Sequence, residues 1–173
     1  MLWAQQEGLG QTTRALIRSA NINDVEAIRL VAQVTWRATY ADLLDSDWID
    51  AHVAEWYAPE VVREQILEAE LLPDCHFMVA EAYGGEVAGY LHFQTMVDRG
   101  PYLRRLYLLP EHQGQGIGMA LISELHSRLG SGFEYELDVH PENLRAVSFY
   151  AGLGARWTGG HIEPCWDLMR VRA

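Results

Sequence analysis

The apolar positions of this chain follow two spacings in alternating blocks. Ala15, Leu16 and Ile17 form a short apolar run that reads as a first strand. Asn21 to Asp24 carries a helix-start signal, with Asn23 or Asp24 as N-cap. Val25, Ile28, Leu30, Val31, Val34 and Thr35 follow at mixed three and four spacing and predict a helix to Arg37. Pro59 opens a second helix with Val62, Ile66, Leu67 and Ala69 on one side, ending before Pro73. Phe77 to Tyr83 reads as a strand and Gly84-Gly85 as a two-residue hairpin turn. Val87 to Thr95 is its partner, alternating Val87, Gly89, Leu91 and Phe93 against Tyr90, His92 and Gln94.

The densest pattern runs from Leu103 to Leu129. Leu106, Tyr107, Leu108 and Leu109 are an apolar run of strand length, and Pro110 ends it. Gly114, Gly116 and Gly118 follow. From Gly116 onward Ile117, Leu121 and Leu125, with Ile122 and Leu129 beside them, recur at helical spacing. A strand that passes through glycines into a helix start makes an anion site. The first helical N–H groups lack intrahelical partners, and the helix dipole is positive there. Gly130 to Gly132 breaks the helix, and Phe133 to His140 reads as a strand. Its Tyr135, Leu137 and Val139 lie on one face, and Glu136, Asp138 and His140 on the other. Pro141 to Asn143 starts a helix that Gly152 and Gly154 end; Asn143, Val147 and Tyr150 share one of its faces. From Trp157 onward two short strands are expected around Gly159-Gly160, the second spanning Trp166 to Val171.

Residues 35–57 interrupt this rhythm. They hold Trp36, Tyr40, Trp48, Trp56 and Tyr57, with Asp42, Asp45, Asp47, Asp50 and Glu55 between them. Aromatic residues at this density serve packing, and acidic residues between them a solvated face. The same mixture also suits a cation, through ring faces and carboxylates.

A length of 173 residues suits one domain with its own core. Residues 1–13 show no periodicity and read as an N-terminal arm, leaving 14–173 as the domain. Hydrophobic content of 49% and charged content of 21% are those of a globular protein. No apolar run approaches membrane-spanning length, and the first residues have neither a basic start nor a long apolar centre. A cytoplasmic location without a membrane partner is therefore expected. Cys75 and Cys165 read as reduced thiols, although one disulfide between them is also compatible with the sequence. The net charge of −11 argues against nucleic acid as a partner, since phosphate binding needs Lys and Arg. It is compatible with a cationic amine, and equally with a role in solubility alone. An acidic chain that binds an anion must supply a local positive field, from backbone dipoles helped by Arg104, Arg105 or Arg145. His52, His76, His92, His112, His126 and His161 show no ligand spacing, so no metal is expected. A Gly-x-Ser-x-Gly elbow is absent as well.

The glycine cluster is not a Walker A loop, for no Gly-Lys-Ser/Thr follows, and its spacing is not the dinucleotide Gly-x-Gly-x-x-Gly. Gln113 to Gly118 fits Q/R-x-x-G-x-G/A just after a strand ending in Leu108, Leu109 and Pro110. It resembles the acetyl-CoA loop of the GNAT superfamily of N-acetyltransferases. Asn143, Ala146, Phe149, Tyr150 and Gly154 resemble that family's N-x-x-A-x-x-F/Y-Y-x-x-x-G-F segment, departing from it at Ala155, where an aromatic is usual. The resemblance spans residues 14–172. It implies an α/β fold of the α+β type: a mixed, mostly antiparallel central sheet flanked by helices on both faces. The sheet would splay between the strands at 103–109 and 133–140, opening a cleft for coenzyme A. Acetyl-CoA is then the cosubstrate. By the same resemblance Leu106 and Leu108 offer backbone groups to the pantetheine arm and the acetyl carbonyl. Gln113, Gly114, Gln115, Gly116, Ile117 and Gly118 line the pyrophosphate, and Asn143 contacts the cofactor near its arm. Tyr150 is the general acid beside the thioester sulfur, and residues 35–57 cover the acceptor site. Dimers are common in that family, so a homodimer is expected.

The chemistry explains these groups. A neutral amine attacks a thioester, and no protein nucleophile is required because a thiolate leaves readily. A free thiol has a pKa of about 8.5, so a tyrosine O–H can protonate it late in the reaction. An alkylammonium with a pKa of about 10.4 must first lose a proton. Asp138 is the first candidate base, His140 the second and Glu81 the third. The expected activity is acetyl transfer to the primary amine of a small cationic molecule by direct attack in a ternary complex. The alternatives are acetylation of a protein N-terminus or lysine, and an acyl-CoA sensor without catalysis. A dinucleotide-binding protein is disfavoured by the glycine spacing.

Overall fold

The computed structural model describes residues 15–162 and 165–173. The arm expected at 1–13 lies outside the described residues. Among the described residues seven strands form one sheet in the order β1-β2-β3-β4-β5-β7-β6. These are β1 Ala15–Ser19, β2 Cys75–Ala82, β3 Val87–Met96, β4 Gly100–Leu108, β5 Glu134–Val139, β6 Arg156–Ile162 and β7 Trp166–Arg172. Among the described residues five α-helices cover the sheet: α1 Val25–Tyr40, α2 Ser46–Trp56, α3 Pro59–Leu71, α4 Ile117–Leu129 and α5 Leu144–Gly152. The mixed, mostly antiparallel architecture is the one expected.

Both faces of the sheet are covered, which explains the unbroken apolar run of β2. Met78 and Ala80 point into a core with Ile117, Leu121 and Leu125 of α4 and Tyr150 of α5. Phe77 and Val79 point the other way, into a core with Ile28 and Val31 of α1 and Val62 and Ile66 of α3. Alternate residues of one strand thus serve two cores.

The decisive feature is the junction of β4 and β5. Every other neighbouring pair is antiparallel, whereas this pair is parallel and joined at one position, Tyr102 opposite Glu136. Beyond it the two strands separate. Leu106 and Leu108 pair with Leu91 and Gly89 of β3 on one side and have no strand partner toward β5. The expected splay is therefore present.

Four local expectations need correction. The connection of β2 to β3 is a four-residue loop, residues 83–86, closed by the Ala82 N–H donating to the Glu86 carbonyl, and not a two-residue turn. Gly159 and Gly160 lie inside β6, where the register against β7 shifts between Trp157 and His161; they mark an irregularity and not the turn. The first helix runs three residues further, to Tyr40, because Trp36 and Tyr40 continue its buried stripe. Residues 46–56 form a helix that apolar periodicity does not reveal. Only Ile49 of α2 is buried. Its start is set by Asp45, whose carboxylate accepts the N–H groups of Asp47 and Trp48.

Candidate active site

One cavity of about 1080 Å³ runs through the splay. It is lined by Gln113, Gly114, Gly116 and Gly118 of the glycine turn, by Leu106 and Leu108 of β4, and by Asp138, Asn143 and Tyr150. Trp36, Tyr40, Trp48, Trp56 and Tyr57 line it as well. The two sequence motifs and the aromatic segment, far apart in the chain, thus border a single space.

The glycine turn is built for close approach. Gly114 and Gly116 have φ of 75° and 81°, in the left-handed region that β-carbons disfavour. Gly116 is the N-cap of α4, so the unpaired N–H groups of that helix open at the turn. The Gln113 amide donates to the Leu108 carbonyl at 2.9 Å and ties the turn to the end of β4. The Gln115 side chain folds back onto the Glu111 carbonyl at 2.7 Å and does not line the cavity. Ile117 is buried in the core, so only its backbone can serve a ligand.

At the opposite wall the Tyr102 hydroxyl donates to Asp138 at 2.6 Å. Burial pushes the Asp138 carboxyl up from its ordinary value, and the Tyr102 hydrogen bond opposes that only in part. Burial first, then the Asp138 charge, pushes the Tyr102 hydroxyl well up, so Tyr102 stays protonated. Tyr150 is buried and its hydroxyl is also raised, chiefly by burial, with smaller contributions from Tyr135, Tyr40 and Asp138. Asn143 caps α5 by accepting the Ala146 N–H at 3.2 Å.

The two remaining base candidates stand elsewhere. His140 is buried and does not line the cavity. Its Nδ1 accepts the Glu142 N–H at 3.2 Å, and its ring packs against Trp166 and Tyr40. Strand alternation placed it beside Asp138, but β5 ends at Val139 and the chain turns there. Glu81 lies on β2 opposite Leu16 of the edge strand and pairs with Arg18 at 2.8 Å, away from the cavity. Sequence reasoning missed Tyr102. Its partnership with Asp138 depends on the single β4–β5 bridge, which no local pattern encodes. It also missed Trp166, which β7 brings to the cavity wall.

Of the three arginines considered for the anion, Arg145 lies nearest the turn: a β-carbon built on Gly114 would sit 4.0 Å from its guanidinium. Arg104 is held by the Gln94 side chain at 3.0 Å, and Arg105 by Gln65 and the Trp56 carbonyl.

The acetyltransferase (GNAT) family model matches residues 37–155. The chain belongs to that family. It is 29% identical to the spermidine N(1)-acetyltransferase of Thermoplasma acidophilum over 136 residues, 78% of this chain and 83% of that one. It is 33% identical to the thialysine N-epsilon-acetyltransferase of Mus musculus over 96 residues, 52% of this chain and 54% of that one. The structure superimposes on the PaiA N-acetyltransferase of Thermoplasma acidophilum in complex with coenzyme A with a TM-score of 0.81, at 26% identity, covering 92% of this chain and 99% of that one. The protein is thus an acetyl-CoA-dependent acyltransferase. The residues present fit that cosubstrate: the β4 edge is open, the turn exposes helix N–H groups, and a β-carbon on Gly116 would meet nothing within 4 Å. Among the described residues no helix is long and apolar enough to cross a membrane, and no cluster of potential ligands for a metal occurs.

Proposed function

We propose that this acetyltransferase acts on the primary amine of a small molecule that arrives as a cation, by direct attack in a ternary complex. The observation that carries this reading is the single cavity that joins the glycine turn to the aromatic wall of α1 and α2, with Asp138 and Tyr150 both on its surface. Spermidine and thialysine, named for two of the relatives, share a primary amine.

Asp138 is the base that takes the ammonium proton. Its raised pKa brings it closer to an amine's, and the Tyr102 hydroxyl fixes the carboxylate's orientation. Tyr150 is the acid that delivers a proton to the departing thiolate. Acetyl-CoA supplies a thioester whose thiolate leaves readily. Gln113, Gly114, Gln115, Gly116, Ile117 and Gly118 hold its pyrophosphate through backbone N–H groups, with Arg145 adding a positive charge beside Gly114. Leu106 and Leu108 pair with the pantetheine arm along the open edge of β4, and Asn143 contacts the arm from the start of α5. The proposal places the enzyme in the cytoplasm, where the buried Cys75 thiol stays reduced. A homodimer belongs to it as well.

The test is thiol release from acetyl-CoA across a panel of amines, with calorimetric binding of acetyl-CoA alongside. Selective turnover of one class of small amine supports the reading. Binding without turnover of any small amine overturns it in favour of a peptide acceptor.

A further inference from the structure

Arg105 is a buried cation without a carboxylate partner among the described residues. It is 6% exposed. Its guanidinium donates to the Gln65 side chain at 2.6 Å and to the Trp56 carbonyl at 3.3 Å, and its Cζ lies 4.4 Å from the Tyr57 ring centroid. Both hydrogen-bond partners are neutral. A guanidinium has five N–H donors, so these two bonds leave the rest available. Burying an uncompensated charge is costly, and proteins ordinarily pair it. Here the charge borders the active-site cavity, on the same wall as Trp36, His52 and Tyr57.

Among the described residues the aromatic wall carries none of the negative charge that a polycation would need. Asp42, Asp45, Asp47, Asp50 and Glu55, which the sequence interleaves with the aromatic residues, do not line the cavity. Asp45 caps α2, and Asp50 pairs with Arg37 at 2.8 Å. Among the described residues the carboxylates that do line it are Asp138 and Glu142, of β5 and the segment after it. His52, stacked on Trp48 at 4.5 Å, has a buried Nε2 with no hydrogen-bond partner among the described residues. Burial, with Arg105 adding to it against an opposing pull from Glu55, lowers its pKa, so the ring is neutral. Arg105 thus places a positive charge beside the aromatic residues; the cavity is also lined by Arg104, held by the Gln94 side chain, and by Arg99, over the Tyr102 ring.

We propose that Arg105 is a specificity-determining residue that receives a carboxylate at the far end of the acceptor, so that the preferred acceptor is an amino acid-like zwitterion and not a polyamine. The inference rests on the small primary-amine reading given above and refines its charge: the reacting end arrives as an ammonium cation, and a carboxylate at the other end makes the acceptor a zwitterion. A planar guanidinium matches a carboxylate in geometry, and the aromatic surroundings strengthen the pairing by excluding water. The alternative is that Arg105 only pins α2 and α3 to β4. That role would affect all acceptors alike.

The experiment compares kcat/KM for straight-chain ω-amino carboxylates with α,ω-diamines and plain alkylamines of equal chain length. Wild-type enzyme is expected to favour the amino carboxylates by about tenfold or more, the worth of one charge-assisted hydrogen bond. Arg105→Gln is expected to abolish that preference by raising KM for the carboxylates while leaving kcat and the plain alkylamines little changed. Preference of the wild-type enzyme for diamines overturns the proposal while leaving the small-amine reading intact. A uniform loss in Arg105→Gln across all three classes also overturns it, in favour of the pinning role. If the variant no longer binds acetyl-CoA, the wild-type comparison alone decides. No turnover of any class overturns the small-amine reading and this inference with it.

Discussion

Tyr102 and Asp138 form a 2.6 Å hydrogen bond at the last point where β4 and β5 are still close. The hydroxyl donates and the carboxylate accepts. Burial raises the Asp138 pKa and this hydrogen bond lowers it, so burial sets the direction and Tyr102 limits the size. Asp138→Asn should lower kcat by about 10²–10³ while acetyl-CoA binding is retained. Its stability should not suffer. A carboxyl whose folded pKa is raised carries no penalty below the unfolded value, where both states are protonated. The penalty grows as pH rises from the unfolded value through the folded value and is complete above it. The Asn variant lacks that penalty, so its Tm at pH 7 should equal or exceed that of the parent. A lower Tm together with lost acetyl-CoA binding would make Asp138 structural. Tyr102→Phe removes the donor, so the acid limb of the kcat/KM profile should move to higher pH.

Tyr150 should separate binding from chemistry. Its hydroxyl is kept protonated by burial, as a proton donor requires. Tyr150→Phe preserves the ring that packs against Phe149 at 5.3 Å. It should leave the calorimetric affinity for acetyl-CoA unchanged and lower kcat by about 10²–10⁴. An unchanged kcat would assign the proton to another group.

Much of this architecture was legible because each element carries its own period and its own stops. The glycine turn, the strand before it and the helix after it were all readable from Leu106 to Leu125, and Asp138 and Tyr150 do line one cavity. What was not legible depends on contacts between distant segments. α2 buries only Ile49, so its sequence shows no apolar stripe, and its aromatic residues serve the cavity. His140 shares the strand parity of Asp138, but the chain turns after Val139 and carries its ring into a packed corner. Arg105 is one of three arginines the sequence offers for the anion at the glycine turn, yet strand pairing holds its guanidinium against the Gln65 side chain and the Trp56 carbonyl.

Asp24 gives a stability test away from the cavity. Burial raises its pKa, but the Arg18 guanidinium, at 2.7 Å and 2.8 Å, and the Asn21 N–H outweigh that, and the net shift is downward. A carboxylate with a depressed folded pKa contributes stability that is complete above its unfolded value of 3.8 and is lost as pH falls through the folded value. Asp24→Asn should therefore destabilise the protein at pH 7 by about 1–2 kcal/mol, discounted because Arg18 is 30% exposed. The difference between variant and parent should shrink in urea titrations run below pH 3.8. A difference independent of pH would assign the loss to packing.

Gly116 tests the turn itself. With φ of 81° it sits where a β-carbon is strained, yet a β-carbon there would meet no atom within 4 Å. The cost of Gly116→Ala is therefore conformational, about 1–2 kcal/mol, and not steric. The chain can relieve that strain by rotating the backbone at the start of α4, which would turn the first N–H groups away from the phosphates they are proposed to hold. The variant should fold, with a Tm lowered by several degrees, and bind acetyl-CoA more weakly by about tenfold or more. Its affinity for a pantetheine fragment without the pyrophosphate should be unchanged, because that arm is proposed to lie against β4. Equal weakening of the fragment and of acetyl-CoA would show that the turn supports the whole cleft and is not specific to phosphate.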